Sequence, residues 1–379
     1  MKKVSLSLSL FSVLCLLLGA CKKEARPGPL PATENEEITA KKKPAGSATV
    51  SVLYKGLNNP RGLKFGPDGY LYVAEAGTGG TMSTAAICPD IQVGLPVGPF
   101  TGSPTSGGVS KISMEGQRTV ITDQLASSQD AGLNPSIMGP SDVAFIGNTL
   151  YVLMAGAGCS HGVTTMPNGI FRINPNGSAT LIANLGAWLL ANPAQNPADD
   201  FEPEGVWYSM VTKGNSFYAI EPNQGVLAKV DLNGLITEVA DISATQGHIV
   251  PTALTYKGNF YFGNLGTFPI QPQSAIYKAN PAGKIQTVAT GFSAILGLVI
   301  DQQSRMYVLE MTSGAMFPTP GTGRIVKVEP NGNKEVIVSG LNLPTGMTMG
   351  PDGNLYVSNW GFGMPPGGGE IVKVTLASK

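Results

Sequence analysis

An all-β, six-bladed β-propeller is the fold this sequence predicts. Three observations lead there: a strand-opening motif that recurs six times, a turn and aromatic strand after each occurrence, and an unmatched strand at the start that the last occurrence lacks. The clearest two copies are GLNNPRGLKFGPDGYLYVAEAG over Gly56 to Gly77 and GLNLPTGMTMGPDGNLYVSNWG over Gly340 to Gly361. Self-similarity at a period of 20 to 50 residues is the signature of an array of supersecondary units, none of which buries its apolar face alone.

Taken from the N-terminus, Met1-Lys2-Lys3 followed by SLSLSLFSVLCLLL and Leu18-Gly19-Ala20-Cys21 has the basic, apolar and small-residue regions of a secretory signal peptide,. The apolar run is short for a membrane-spanning helix. Leu-Gly-Ala-Cys resembles a bacterial lipobox, so residues 1–20 are expected to be removed and Cys21 to carry lipid. Residues 21–47 are charged, contain proline and lack aromatic residues, so they cannot bury enough apolar area to offset chain entropy,. They read as a tether to the cell envelope, with an outer-membrane destination expected from Lys22.

The propeller is expected over 48–379. The six openings are Asn59-Pro60-Arg61-Gly62-Leu63, Gly139-Pro140-Ser141-Asp142-Val143, Glu202-Pro203-Glu204-Gly205-Val206, Val250-Pro251-Thr252-Ala253-Leu254, Ala294-Ile295-Leu296-Gly297-Leu298 and Leu343-Pro344-Thr345-Gly346-Met347. Each leads through a turn such as Gly66-Pro67-Asp68-Gly69 into LYVAE, LYVLM, FYAIE, FYFGN, MYVLE or LYVSN. Turn residues suited to positive φ between runs of period two predict hairpins. A second hairpin follows each, giving the four antiparallel strands of a propeller blade. The single helical candidate is Ala187-Trp188-Leu189-Leu190-Ala191, enough for one or two turns. The last copy supplies three strands, ending near Thr375, so the orphan strand Ala48 to Tyr54 is expected to complete that blade and close the ring,.

In such a ring the loops from strand two to strand three, and from strand four to the next blade, share one face. Here that face receives every insertion, around Thr78–Ser106, His161–Asn168, Gly186–Phe201, Leu265–Gln273, Met311–Thr322 and Gly361–Gly368; the opposite turns are short. Long loops on a rigid scaffold are where binding resides.

Two rings of residues point to this face. The strand-two ends contribute Glu75, Met154, Glu221, Asn264, Glu310 and Asn359. The strand-one starts contribute Arg61, Ser141, Glu204, Thr252, Leu296 and Thr345, with Asp142 one residue on. Glu75, Glu221, Asn264, Glu310 and Asn359 have the hard oxygen ligands that Ca²⁺ requires. Together with Arg61, Asp142 and Glu204 they could equally hold a polar organic ligand, or they could cap strand ends by bonding loop backbone.

His161 and His248 are the two histidines and both fall in loops of this face. The sequence has no GxSxG elbow and no phosphate-binding loop. With 25 basic and 25 acidic residues, the chain lacks the basic surplus of a nucleic-acid binder,. Once Cys15 and Cys21 are set aside, Cys88 and Cys159 fall in corresponding loops of neighbouring blades, and export favours a disulfide between them; free thiols or a redox pair are the alternatives,.

NPRGLKFGPDGYLYVAEAG with its cysteine-containing insertion, then GPSDVAFIGNTLYVLMAGAG, then ANLGAWLLANPAQNP, resembles the ScyD/ScyE family of exported propellers over Thr49 to Val374. More distantly the chain resembles NHL-repeat propellers and gluconolactonase-like calcium enzymes. The family resemblance implies fold and export. Where that family tends to read Asn-Pro-Tyr-Gly, this chain has Glu202-Pro203-Glu204-Gly205. The expected protein is therefore a monomeric, lipid-anchored propeller that takes a small ligand or a protein on its loop-rich face; the alternative is a calcium-dependent lactonase.

Overall fold

Alternating apolar residues between Gly-containing turns fold here into six antiparallel sheets around one axis, each sheet hydrophobic on both faces because a neighbour covers each. The computed structural model describes residues 48–95, 97–130, 136–196 and 201–377. The expected signal peptide, the lipidation of Cys21 and the tether over 21–47 lie outside the described residues.

After β1 (Thr49–Leu57), blade one holds β2 (Pro60–Phe65), β3 (Leu71–Glu75), β4 (Phe100–Ile112), β5 (Arg118–Asp130) and β6 (Ile137–Met138). Blade two holds β7 (Pro140–Ile146), β8 (Thr149–Met154), β9 (Gly169–Ile173) and β10 (Ala179–Asn184). Helix α1 (Leu185–Ala191) follows, capped by the Asn184 side chain at the Ala187 amide,. Blade three holds β11 (Ser209–Lys213), β12 (Ser216–Glu221), β13 (Val226–Asp231) and β14 (Ile236–Asp241), then the single turn α2 (Ser243–Gln246). Blade four holds β15 (Pro251–Lys257), β16 (Asn259–Asn264), β17 (Ser274–Ala279) and β18 (Ile285–Phe292). Blade five holds β19 (Ile295–Ile300), β20 (Met306–Glu310), β21 (Gly323–Val328) and β22 (Lys334–Leu341). Blade six holds β23 (Gly346–Met349), β24 (Leu355–Asn359) and β25 (Gly369–Thr375), with β1 as its outer strand.

The inner strands β2, β7, β11, β15, β19 and β23 each contact the next around a closed circle. The register Thr49↔Thr375, Val52↔Val372 and Leu57↔Gly369 shows the orphan strand closing the last blade, as the sequence predicts. Aromatic residues of the second strands pack against the following blade: Tyr72 on Phe145, Tyr151 on Phe217, Tyr218 on Phe260 and Tyr356 on Phe65, with ring centroids 4.4 to 5.0 Å apart,. The GPDG turns do more than reverse the chain. Asp68 accepts from the Tyr72 hydroxyl at 2.9 Å and Asp352 from the Tyr356 hydroxyl at 3.0 Å, so turn and interblade aromatic are fixed together.

Two expectations are corrected. The Thr78–Ser106 insertion is not loop throughout: its end pairs from Phe100↔Asp130 onward, extending the β4–β5 hairpin toward the loop-rich side, and β6 adds a fifth strand. Glu204 does not start a strand. The inner strand of blade three begins at Ser209, with Ser209↔Ile220 and Met210↔Ala219, so Tyr208 occupies the position of Arg61, Ser141, Thr252, Leu296 and Thr345. No described helix is long and apolar enough to cross a membrane.

Truncating the chain to begin at Asn58 tests the closure. It removes fully buried Leu57, a loss of about 2–5 kcal/mol by comparison with core truncations, and opens the outer edge of β25 to association,. The truncated chain is expected to elute as aggregate in size-exclusion chromatography, whereas a chain beginning at Ala48 elutes and melts as the intact domain.

Candidate functional site

The residues ending each second strand point toward the linker that brings the chain in from the preceding blade. Glu75 Oε2 accepts from the Asn58 amide at 2.9 Å, Glu310 Oε1 from Ser293 at 3.0 Å, and Asn359 Oδ1 from Asn342 at 2.8 Å. Asn264 makes the equivalent contact with reversed polarity, donating Nδ2 to the Ile249 carbonyl at 2.9 Å and accepting from the Ala275 amide at 2.7 Å. Residual charge is met on the spot: Arg118 binds Glu75, Arg324 binds Glu310, and Glu370 accepts from Asn359. Glu221 accepts three backbone amides, from Val206 and Asn223 on Oε1 and from Gln224 on Oε2. Blade two has the apolar Met154 instead.

The donor set expected for Ca²⁺ is thus committed to N–H groups and guanidinium ions, and does not fit a shared cation without breaking those bonds. Among the described residues no group of three or more His, Cys, Asp or Glu side chains is placed to hold a metal ion.

The strand-one starts differ in kind. The Thr345 hydroxyl donates to the Pro60 carbonyl and the Thr252 hydroxyl to the Ile295 carbonyl, so both tie adjacent inner strands. Asp142 lies in the channel, taking the Met210 amide at 2.9 Å from blade three and facing Lys64 of blade one at 3.8 Å. Burial pushes its carboxyl above the usual range, against the opposing pull of Lys64 and the two backbone amides it accepts. Tyr208 crosses the axis and donates to the Thr345 carbonyl of the opposite blade at 2.7 Å, and burial pushes its hydroxyl up to about 12. Beneath it the channel is a cavity of about 30 Å³ lined by Gly62, Asp142, Ser209, Ala253, Gly297 and Gly346. That is room for one or two waters.

Arg61 lies beside this crossing. Its guanidinium donates to the Ile137 carbonyl at 2.6 Å and sits against the Tyr208 hydroxyl; burial lowers its pKa. Tyr208 also borders an apolar cluster of Ile270, Ala294, Leu296, Met311 and Leu343, against which Leu265, Trp360 and Phe362 pack.

A second buried polar group joins blades two and three. Glu204 accepts from the amide and hydroxyl of Ser160, both at 2.7 Å; Ser160 Oγ is 3.0 Å from His161 Nδ1; and His161 Nε2 is 3.4 Å from Glu202. All four residues are buried, and Phe100 stacks on the imidazole. The arrangement holds two loops together rather than facing solvent. The expected disulfide is present beside it, Cys88 to Cys159, with Cα atoms 6.2 Å apart,. His248 falls in the linker before β15.

No family model and no curated protein matches the chain. Among solved structures, a protein of unknown function from Bacteroides thetaiotaomicron is 11% identical, with 87% of this chain and 76% of that one covered and a TM-score of 0.55. A gluconolactonase from Xanthomonas campestris is 10% identical, with 87% and 90% covered and a TM-score of 0.53. A putative oxidoreductase (glucose dehydrogenase) from Thermus thermophilus is 13% identical, with 86% and 99% covered and a TM-score of 0.52. At these identities the likeness shows the six-bladed propeller fold alone.

Burial, with Glu202 nearby, raises the Glu221 carboxyl to about 7 against the three amides that lower it. A carboxyl whose folded pKa exceeds its unfolded value stabilises most when protonated, and that contribution fades as pH rises from the unfolded value through the folded one. Thermal melts are therefore expected to fall between pH 5 and pH 8. Glu221→Gln should flatten the decline; an unchanged pH slope in the variant would show that another group causes it.

Proposed function

We propose that this chain is an exported, lipid-anchored propeller that binds a small ligand or a protein partner through its loop-rich face. One observation carries the reading: the carboxylates and amides ringing the channel mouth are bonded to the scaffold, while the loops around them are open and nearly free of charge. Leu265–Gln273, Met311–Thr322 and Gly361–Gly368 contain no Asp, Glu, Lys or Arg. In them Phe268, Met316 and Phe317 are 49%, 62% and 57% exposed. The Ile270 amide donates to the Met316 carbonyl at 2.7 Å and the Phe268 and Phe317 rings stack at 6.2 Å, so two loops form one apolar surface. Exposed apolar patches of this kind mark interaction sites.

The direction of β1 supports the same reading. Leu57 pairs with Gly369 beside the Gly361–Gly368 loop and Thr49 pairs with Thr375, so the chain enters the ring on the tight-turn face. The long loops lie on the opposite side of the ring from this point of entry. The resemblance to the ScyD/ScyE family agrees with export. Replacing Cys21 by Ser is expected to abolish radiolabelled palmitate incorporation and to release the protein from the membrane fraction; continued labelling would refute the anchor.

The calcium-dependent lactonase is the rival, suggested by the gluconolactonase neighbour at the level of fold. Its cation would have to displace the amide and arginine partners of Glu75, Glu221 and Glu310. EDTA and millimolar Ca²⁺ are therefore expected to leave Tm unchanged to within about 1 °C, since a cation without a site gives no mass-action stabilisation. Hydrolysis of glucono-1,5-lactone should match the buffer rate; metal-dependent turnover would overturn the binding-module reading.

A further inference from the structure

With the acidic ring withdrawn into capping, the sign of the channel mouth is set by what remains there. Of the six strand-one starts, Ser141, Tyr208, Thr252, Leu296 and Thr345 are uncharged and Arg61 alone is ionised. No carboxylate among the described residues lies within ion-pair distance of its guanidinium; Asp142, the nearest acidic residue along the inner strands, is turned to Lys64 and the Met210 amide. Arg61 spends one N–H on the Ile137 carbonyl and rests on the Tyr208 hydroxyl, which leaves further donors of its planar fork unassigned,. A half-buried guanidinium without a counter-charge favours an anion, and a carboxylate matches its fork geometry,.

The surroundings define the rest of the ligand. Tyr208, against which the guanidinium rests, is also a wall of the apolar cluster in which Leu296 and Leu343 are floored and Trp360, Phe362 and Leu265 are half-buried. Close contacts bring the two chain segments together: a side chain on Gly361, the residue after Trp360, would strike the carbonyl of Pro60, the residue before Arg61, and Thr345. Since Tyr208 closes the channel below, a ligand stays above it, in contact with both groups.

We propose that the mouth binds a small monocarboxylate with an apolar body, its carboxylate on Arg61 and its apolar part against Tyr208, Leu296, Leu343 and Trp360. The proposal rests on the binding-module reading and names the ligand class which that reading leaves open.

Titration calorimetry with octanoate, 1-octanol and acetate tests it. Octanoate is expected to bind at least about tenfold more tightly than either probe lacking its tail or its charge, and Arg61→Gln to weaken it by about tenfold or more, as for loss of one charge-assisted hydrogen bond. Trp360→Ala should weaken octanoate and leave acetate unchanged. No octanoate binding by the intact protein, equal binding of 1-octanol, or equal binding of acetate would each overturn the proposal. So would unchanged affinity in folded Arg61→Gln. If that variant does not fold, Arg61→Lys decides: its carboxylate affinity must fall while its melting temperature holds. Failure of octanoate alone leaves the binding-module reading standing, because that reading falls on metal-dependent lactone turnover instead.

Discussion

A circle of sheets has no first or last member only if the chain's two ends share a sheet, and the pairing of β1 with β25 meets that condition. Every blade interface depends on it. Second-strand aromatics pack on the blade that follows at four interfaces, among them Tyr356 of blade six on Phe65 of blade one, so an open ring would leave one of these faces in water. Closure also brings the inner strands close enough for cross-blade bonds. The Ser358 hydroxyl donates to the Arg61 carbonyl at 2.6 Å and Thr345 donates to Pro60, contacts spanning nearly the whole sequence. A rigid mouth follows from this, because its residues sit on strands held from both sides.

Turning from an outer strand to the next inner strand costs backbone strain. Asn59, Val250, Ala294 and Leu343 precede the inner strands of blades one, four, five and six with φ of 50°, 56°, 47° and 42°. Left-handed backbone costs a residue with a side chain about 1–2 kcal/mol. Glu75, Asn264, Glu310 and Asn359 provide the compensation: each bonds the linker by its side chain, and the residue after it donates its amide to the carbonyl of the left-handed residue or its predecessor, as Ala76 does to Asn59 and Leu265 to Val250. The acidic ring is therefore a set of latches. Their position follows from the fold rather than from a ligand.

How much of this was legible follows from where each signal lies. Blade number, strand order, closure and the facing cysteines are properties of local pattern and repeat order, and the sequence carries them. The partners of the carboxylates are not local: Arg118 reaches Glu75 from β5 and Arg324 reaches Glu310 from β21, and no spacing rule within a strand announces either. Blade three departs from the expectation because Glu202-Pro203-Glu204-Gly205 imitates the Pro-x-Gly opening while the inner strand follows Trp207. The distance to the second-strand end would have located it, since Tyr208 lies 13 residues before Glu221 as Ser141 lies 13 before Met154. Blade one's fifth strand was hidden by the glycine and proline content of an insertion that nevertheless pairs across the β4–β5 hairpin.

Charge at the axis is decided by one glycine. A side-chain carbon on Gly62 would lie 2.1 Å from Asp142 Oδ1, so the carboxylate occupies space that only glycine leaves open,. From there it reaches Lys64 and the Met210 amide, linking blades one, two and three. With Asp142 held inward beside Gly62, Arg61 has no carboxylate partner among the described residues. Tyr208 spans the axis above the narrow channel, and the surface on its other side combines one guanidinium, one phenol and a hydrocarbon wall.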